Sequence, residues 1–152
     1  MGLDQYLTAS EYISRWDWED DVRSENPIFS LKLPDGHAGI TVDFPMGYWR
    51  KANQIHHWFV ETIGNGVDEC QKMFVGRENL EELKSLCLEV LAVRYTPQGV
   101  DVAKDLLPPS SGFFFGSYEI DEWYYKDLEN TLEIIENCLN SKFDYFEYQA
   151  SW

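Results

Sequence analysis

Residues 121–152 read DEWYYKDLENTLEIIENCLNSKFDYFEYQASW, and the spacing of the apolar residues changes once within this stretch. Up to about Asn140, apolar side chains recur every three or four positions, which predicts a helix with one buried face. From Phe143 onward apolar and polar residues alternate, which predicts a strand. The stretch therefore predicts one helix followed by one strand.

The same periodicities predict further elements toward the N-terminus. We expect strands over 3–12, 28–33 and 40–44 and helices over 48–63, 78–91 and 96–107. The turn Pro34-Asp35-Gly36 predicts a hairpin between the second and third strands, because proline presets φ and glycine supplies a positive φ. Pro45 is expected to end that hairpin, and Thr96 is expected to cap the third of these helices.

The order of these elements is β, ββ, ααα, α, β, which predicts an α+β fold. A small antiparallel sheet formed by the N- and C-terminal strands plus the hairpin, packed against about four helices, satisfies this order best. No linker or repeat divides the chain, so we expect a single globular domain over residues 1–152. A terminal strand at the sheet edge would let two copies of the chain pair as a homo-oligomer.

The composition excludes several classes of protein. The 152 residues include 12 basic and 27 acidic ones, for a formal net charge of −15, and 44% are hydrophobic. Such an apolar fraction excludes an acidic disordered tail, and the excess of acids excludes a nucleic-acid binder with a broad basic face. No apolar run reaches the ~20 residues of a membrane span, and no signal peptide is recognisable, so we expect a cytoplasmic protein. The three cysteines are widely spaced, and we expect free thiols, no metal site and no cofactor.

Positive charge is concentrated in one segment. Residues 46–66 carry two basic residues and one acidic residue, whereas the other parts of the chain are net negative. On the helix expected here, Arg50, Asn53 and His57 share one face and are bordered by Trp49. Their side chains donate hydrogen bonds to anionic or polar ligands. The alternative is an internal role, in which the arginine pairs with carboxylates of the same chain and the asparagine binds nearby backbone.

A second cluster mixes aromatic and acidic side chains around residues 112–125, where three phenylalanines predict a short buried strand or a tight aromatic loop. A pocket between this aromatic segment and the helix at 48–63 would hold a nucleotide-like or other anionic small molecule. In this hypothesis the cations contact the anion, the amide and imidazole add polar contacts, and the aromatic rings stack. The candidate ligand-binding residues are Trp49, Arg50, Lys51, Asn53, His57, Phe114 and Tyr124.

Two other functions stay open. An acidic protein that imitates the phosphates of a nucleic acid would inhibit a basic protein by direct binding. Its candidate residues are Asp17, Glu19, Asp20, Asp21, Glu119, Asp121 and Glu122.

The other alternative is a small hydrolase, which would use His57 with Glu61, or His56 with Asp121, as an acid/base pair. The sequence contains no standard nucleotide-binding or hydrolase motif, so a binding protein is favoured and no catalytic residue is assigned. His56 falls within the apolar stripe of its helix, which favours a hydrogen-bonded core histidine.

Three stretches, MGLDQYL at 1–7, YWRKANQIHHWF at 48–59 and LLPPSSGFFFGSYEIDEWYYKDL at 106–128, resemble a group of small uncharacterised proteins encoded in phage and prophage genomes. The resemblance covers most of the chain from residue 46 onward. It implies an accessory protein that acts inside the host bacterial cell, and such proteins often counter host defence. The bound molecule would then be a defence signal, and the inhibited protein of the first alternative would be a host defence protein. No activity is attached to the group, so the resemblance assigns no catalytic residue.

Overall fold

The computed structural model describes residues 2–14, 36, 39–112 and 114–152. Within these residues the chain forms four strands and four helices, which confirms the α+β class. In chain order the elements are β1 (Asp4–Ser14), β2 (Gly39–Arg50), α1 (Asn53–Thr62), β3 (Met73–Gly76), α2 (Arg77–Ala92), α3 (Gly99–Leu106), α4 (Glu122–Leu139) and β4 (Tyr145–Ser151). Among the described residues, no helix is both long and apolar enough to cross a bilayer.

The chain divides into two compact units. The larger unit combines Met1–Ala9 with Pro45–Trp152, and the smaller unit is Ser10–Phe44. In the smaller unit, Ser10 Oγ donates a hydrogen bond of 2.6 Å to the carboxylate of Asp43. The expectation of a single globular domain stays a prediction.

The four strands form one antiparallel sheet with the order β2-β1-β4-β3. The two terminal strands are neighbours, with Asp4 opposite Ser151 and Thr8 opposite Glu147. On its other side β4 pairs with β3, where Met73 lies opposite Tyr148. Because β4 is flanked on both sides, the C-terminal strand does not lie at the sheet edge. Pairing of two copies of the chain as a homo-oligomer stays a prediction.

One face of the sheet is buried, as the alternation in the sequence predicts. On β4, Phe146, Tyr148 and Ala150 are buried, and Phe59 of α1 stacks on Tyr148 with ring centroids 3.9 Å apart. α4 lies very close to β2, because a Cβ added at Gly47 would come within 2.5 Å of Ile134. The core of the larger unit therefore consists of this sheet face and the apolar faces of the helices.

The boundary between β2 and α1 differs from the sequence expectation. The expected end of the strand at Pro45 and the expected start of a helix at residue 48 are both wrong, since β2 continues to Arg50 and α1 begins at Asn53. β2 lies at the sheet edge, where a proline is tolerated because its missing N–H leaves no ladder bond unmade. Trp49 is held in place by a residue distant in the sequence, since its indole Nε1 donates a hydrogen bond to Thr131 Oγ1 of α4 at 2.8 Å.

The other elements follow the sequence more closely. α2 and α4 confirm the helices expected at 78–91 and 121–140, with ends displaced by one residue. α3 begins at Gly99, so the prediction that Thr96 caps this helix is wrong. The Thr96 hydroxyl instead donates a hydrogen bond to the Val93 carbonyl at 2.6 Å. β3 was missed because its four residues are too few for a periodic signal. The expected strand at 28–33 lies outside the described residues.

Candidate functional site

The turn between β2 and α1 holds Lys51 in the left-handed region, with φ of 61°. A residue with a side chain adopts this backbone conformation at a cost of about 1 kcal/mol. The turn is fixed by the bond from Lys51 N to the Leu3 carbonyl at 2.8 Å. The side chain passes close to Gly116, where an added Cβ would lie 3.2 Å from Lys51 Cβ. The turn therefore contacts the loop that precedes α4.

Asn53, the first residue of α1, binds that loop. Its Nδ2 donates to the carbonyls of Phe115 and Ser117 at 3.1 and 2.9 Å, and its Oδ1 accepts from Ser110 N at 3.1 Å. The residue is only 2% exposed. The structure thus gives Asn53 the internal role that the sequence left as an alternative. In this role Asn53 holds the loop before α4 in position.

A cavity of about 300 Å³ lies between this turn and the segment 116–127. Arg50 and Lys51, both exposed, are part of its lining. The rest of the lining consists mainly of acidic, amide and aromatic residues of α1, the loop and α4. They are Asn53, Gln54, Gly116, Ser117, Glu119, Asp121, Trp123, Tyr124 and Asp127.

This arrangement differs from the single helical face expected for Arg50, Asn53 and His57. Arg50 lies at the end of β2, Lys51 lies in the turn, and His57 lines a different cavity. The expectation of one face is wrong because the helix starts three residues later than Arg50. The two cations nevertheless lie beside the aromatic and acidic segment that the sequence singled out.

The acidic part of the lining is partly buried. Burial raises the pKa of Asp127 to about 6, a hydrogen bond from Gln54 opposes this increase, and the charge of Asp121 adds to it. Gln54 Nε2 lies 3.4 Å from Asp127 Oδ2 and also donates to the Tyr124 carbonyl at 3.3 Å. Asp121 caps α4 by accepting from Tyr124 N at 3.0 Å. The cavity lining thus combines the donors Arg50 and Lys51 with the acceptors Asp121 and Asp127.

The raised pKa of Asp127 predicts a specific pH dependence for the variant Asp127→Asn. The pKa rises from 3.8 to about 6 in the folded state, so the folded protein binds more protons between these values and loses stability as pH increases through them. Asparagine keeps an acceptor for Gln54 and has no charge to bury. The free energy of unfolding of the variant, relative to wild type, is expected to increase from pH 4 to pH 7 in urea titrations. A constant difference between the two proteins would contradict this prediction.

The aromatic residues take different places from those expected. Trp49 is buried in the core, and Tyr124 is buried with its hydroxyl donating to the Leu107 carbonyl at 2.8 Å. Phe114, half exposed with φ of 71°, is outside the cavity lining formed by the described residues. The accessible ring at the cavity is Trp123, which is 71% exposed and has Lys126 Nζ 4.6 Å from its ring centroid. An exposed tryptophan at a helix start was the signal that could have identified it.

A second cavity of about 220 Å³ shares one lining residue, Gln54, with the first cavity. His57 and Glu61 both line it, four residues apart on α1. The rest of its lining is mostly apolar and comes from α1 and the end of α3. These residues are Trp58, Thr62, Leu106, Leu107 and Pro108.

His56 is a core residue, as its place in the apolar stripe predicted. It is 1% exposed, with Nδ1 2.8 Å from the Tyr148 hydroxyl and Nε2 3.0 Å from Asp68 Oδ2. A carboxylate only accepts, so Nε2 carries the proton and Nδ1 accepts from the tyrosine. Burial raises the pKa of Tyr148. The expected pair of His56 with Asp121 is wrong, because both ring nitrogens have other partners.

The acidic residues of the mimicry hypothesis fall into two groups, one outside and one within the described residues. Asp17, Glu19, Asp20 and Asp21 lie outside the described residues. Asp121 caps α4, Glu122 pairs with Lys126 at 3.0 Å, and Glu119 lines the first cavity.

Two of the three cysteines have the properties of inert core thiols. All three are free, and burial raises the pKa of the Cys87 thiol to about 12 and that of Cys138 to about 11. Such thiols stay protonated and inert at neutral pH. In the described part of the chain, no group of three His, Cys, Asp or Glu side chains is placed to hold a metal ion.

Comparison with protein-family models, with curated proteins and with solved structures finds no match for this chain.

Proposed function

We propose that this protein binds a nucleotide-like or other anionic small molecule in the cavity between the β2–α1 turn and residues 116–127. One observation carries the proposal. Two exposed cations, Arg50 and Lys51, lie beside this cavity in a chain with a net charge of −15, and the second has a strained backbone. Residues with strained backbone conformations concentrate at functional sites. If the side chain had no function, a glycine at the same position would avoid the strain.

The lining of the cavity suits the two ends of a nucleotide. Arg50 offers a planar group of donors and Lys51 a compact charge, and both bind phosphate well. Asp121 and Asp127 of the same lining accept hydrogen bonds from hydroxyl or amino groups. The exposed face of Trp123 offers a surface on which a base stacks. A nucleotide combines an anion, such donors and an aromatic ring.

Binding without a reaction is the simpler form of this proposal. His56 is held in the core by Tyr148 and Asp68, and His57 with Glu61 lines the second cavity rather than the one beside the cations. Together with the resemblance to phage proteins, this supports the proposal that the protein sequesters an anionic signal of host defence inside the bacterial cell.

The variant Arg50→Ala tests the proposal. Wild-type protein is expected to gain thermal stability with at least one of AMP, ADP, GMP or UMP, because a ligand that binds only the folded state stabilises it. Removing the guanidinium is expected to weaken binding by roughly tenfold to a hundredfold in calorimetric titration. The matched control is Lys104→Ala, an exposed cation in the last turn of α3, which should bind like wild type.

A second variant, Lys51→Gly, separates binding from folding. Glycine adopts the positive φ without strain, so the free energy of unfolding should stay within about 1 kcal/mol of wild type while affinity decreases. The proposal fails if none of the four nucleotides changes the melting temperature, or if Arg50→Ala and Lys104→Ala bind equally well.

A further inference from the structure

The second cavity extends the proposed site along α1. Gln54 lines both cavities, is buried, and is held by the Tyr124 carbonyl and Asp127. It is therefore a fixed residue that the two compartments share. A molecule that occupies both compartments contacts Gln54 and must be longer than a mononucleotide.

The helix sets the distance between the two compartments. Gln54, His57 and Glu61 are spaced three and four residues apart, so they follow one face of α1. At a rise of 1.5 Å per residue, the seven residues from Gln54 to Glu61 span roughly 10 Å. A mononucleotide bound at Arg50 and Lys51 fills the first compartment, and a second linked nucleotide is long enough to enter the other.

The second compartment has the chemistry of a base pocket. Trp58, Leu107 and Pro108 offer apolar surface to the faces of a ring. Glu61 only accepts hydrogen bonds, whereas the imidazole of His57 donates one. A carboxylate acceptor next to a donor matches a base edge on which an N–H group lies beside an acceptor. Adenine presents such an edge with its amino group and a ring nitrogen, and uracil presents one with N3–H and a carbonyl.

We propose that the ligand is a dinucleotide whose phosphate lies at Arg50 and Lys51 and whose second base lies between His57 and Glu61. The proposal rests on the proposed function and deepens it. The first compartment supplies phosphate recognition and stacking on Trp123, and the second compartment binds the second base.

Calorimetric titration with AMP, pApA and pUpU tests the proposal. Wild-type protein is expected to bind pApA at least about tenfold more tightly than AMP, because the second base adds contacts within one molecule. It is expected to bind pUpU more tightly than UMP as well, because N3–H and a carbonyl of uracil satisfy the same acceptor and donor. In His57→Ala and Glu61→Ala the advantage of pApA should disappear while the affinity for AMP is unchanged. The matched control is Glu81→Ala on the exposed side of α2, which should behave like wild type.

If AMP binds through Arg50 but pApA binds no more tightly, the second compartment is refuted while the proposed function stands. If neither mononucleotides nor dinucleotides bind, the proposed function itself fails.

Discussion

Replacing Asn53 with alanine is expected to lower the free energy of unfolding by about 3 kcal/mol. Three hydrogen bonds from one buried amide hold the loop at Ser110, Phe115 and Ser117. Each is worth about 1 kcal/mol, and the buried backbone groups left behind lose their partner. Because the loop forms one wall of the first cavity, the same change should also abolish ligand binding.

Urea unfolding of Asn53→Ala and Asn130→Ala provides the comparison for this prediction. Asn130 is exposed on α4 and makes one hydrogen bond, from Nδ2 to the Tyr48 carbonyl at 3.3 Å. Its loss should cost less than about 1 kcal/mol. Equal destabilisation by the two substitutions would show that Asn53 does not anchor the loop.

The second large effect is expected at His56, where substitution by alanine should also cost about 3 kcal/mol. The imidazole connects Tyr148 of β4 with Asp68 in the segment after α1. Its removal leaves a buried hydroxyl and a partly buried carboxylate without this partner, and it leaves a cavity against Phe115, whose ring lies edge-on at 5.4 Å.

The neighbouring residue supplies the control, since His57 lies on the same helix but faces the second cavity and is only half-buried. His57→Ala should change the free energy of unfolding by less than about 1 kcal/mol. A double-mutant cycle of His56→Ala with Tyr148→Phe should show coupling, because the two side chains share a hydrogen bond. Additive effects in that cycle, or similar losses for the two histidines, would contradict the role assigned to His56.

Elements with a long local pattern could be predicted from the sequence. The apolar stripe of α4 and the alternation of apolar and polar residues in β4 each depend only on residues within the element. The α+β class could therefore be predicted from such local patterns. The extension of β2 did not follow, because WRKAN is compatible with a helix. What decides the strand is pairing with β1 and the bond from Trp49 to Thr131, which is 82 positions away.

The candidate site was predictable in composition but not in geometry. Arg50 and Lys51 were found because they are the only cations of a net positive segment in the sequence, and charge is visible without a fold. The hydrogen bonds of Asn53 to the loop involve carbonyls more than 50 residues away in the sequence. No local sequence pattern predicts them. Trp123 belongs to the aromatic and acidic cluster that the sequence indicates, but Tyr124 was chosen there as the stacking residue.

The central claim is that an anionic ligand occupies the cavity between the β2–α1 turn and residues 116–127, and an NMR titration of the wild-type protein with AMP tests it most directly. The account predicts that the Trp123 indole resonance and the backbone amides of Lys51 and Ser117 shift with a common saturation curve. The indole of Trp49, which is buried against Thr131, should stay in place. Saturable shifts confined to residues far from this cavity, such as those of β3, would contradict the account, and so would a spectrum that AMP leaves unchanged.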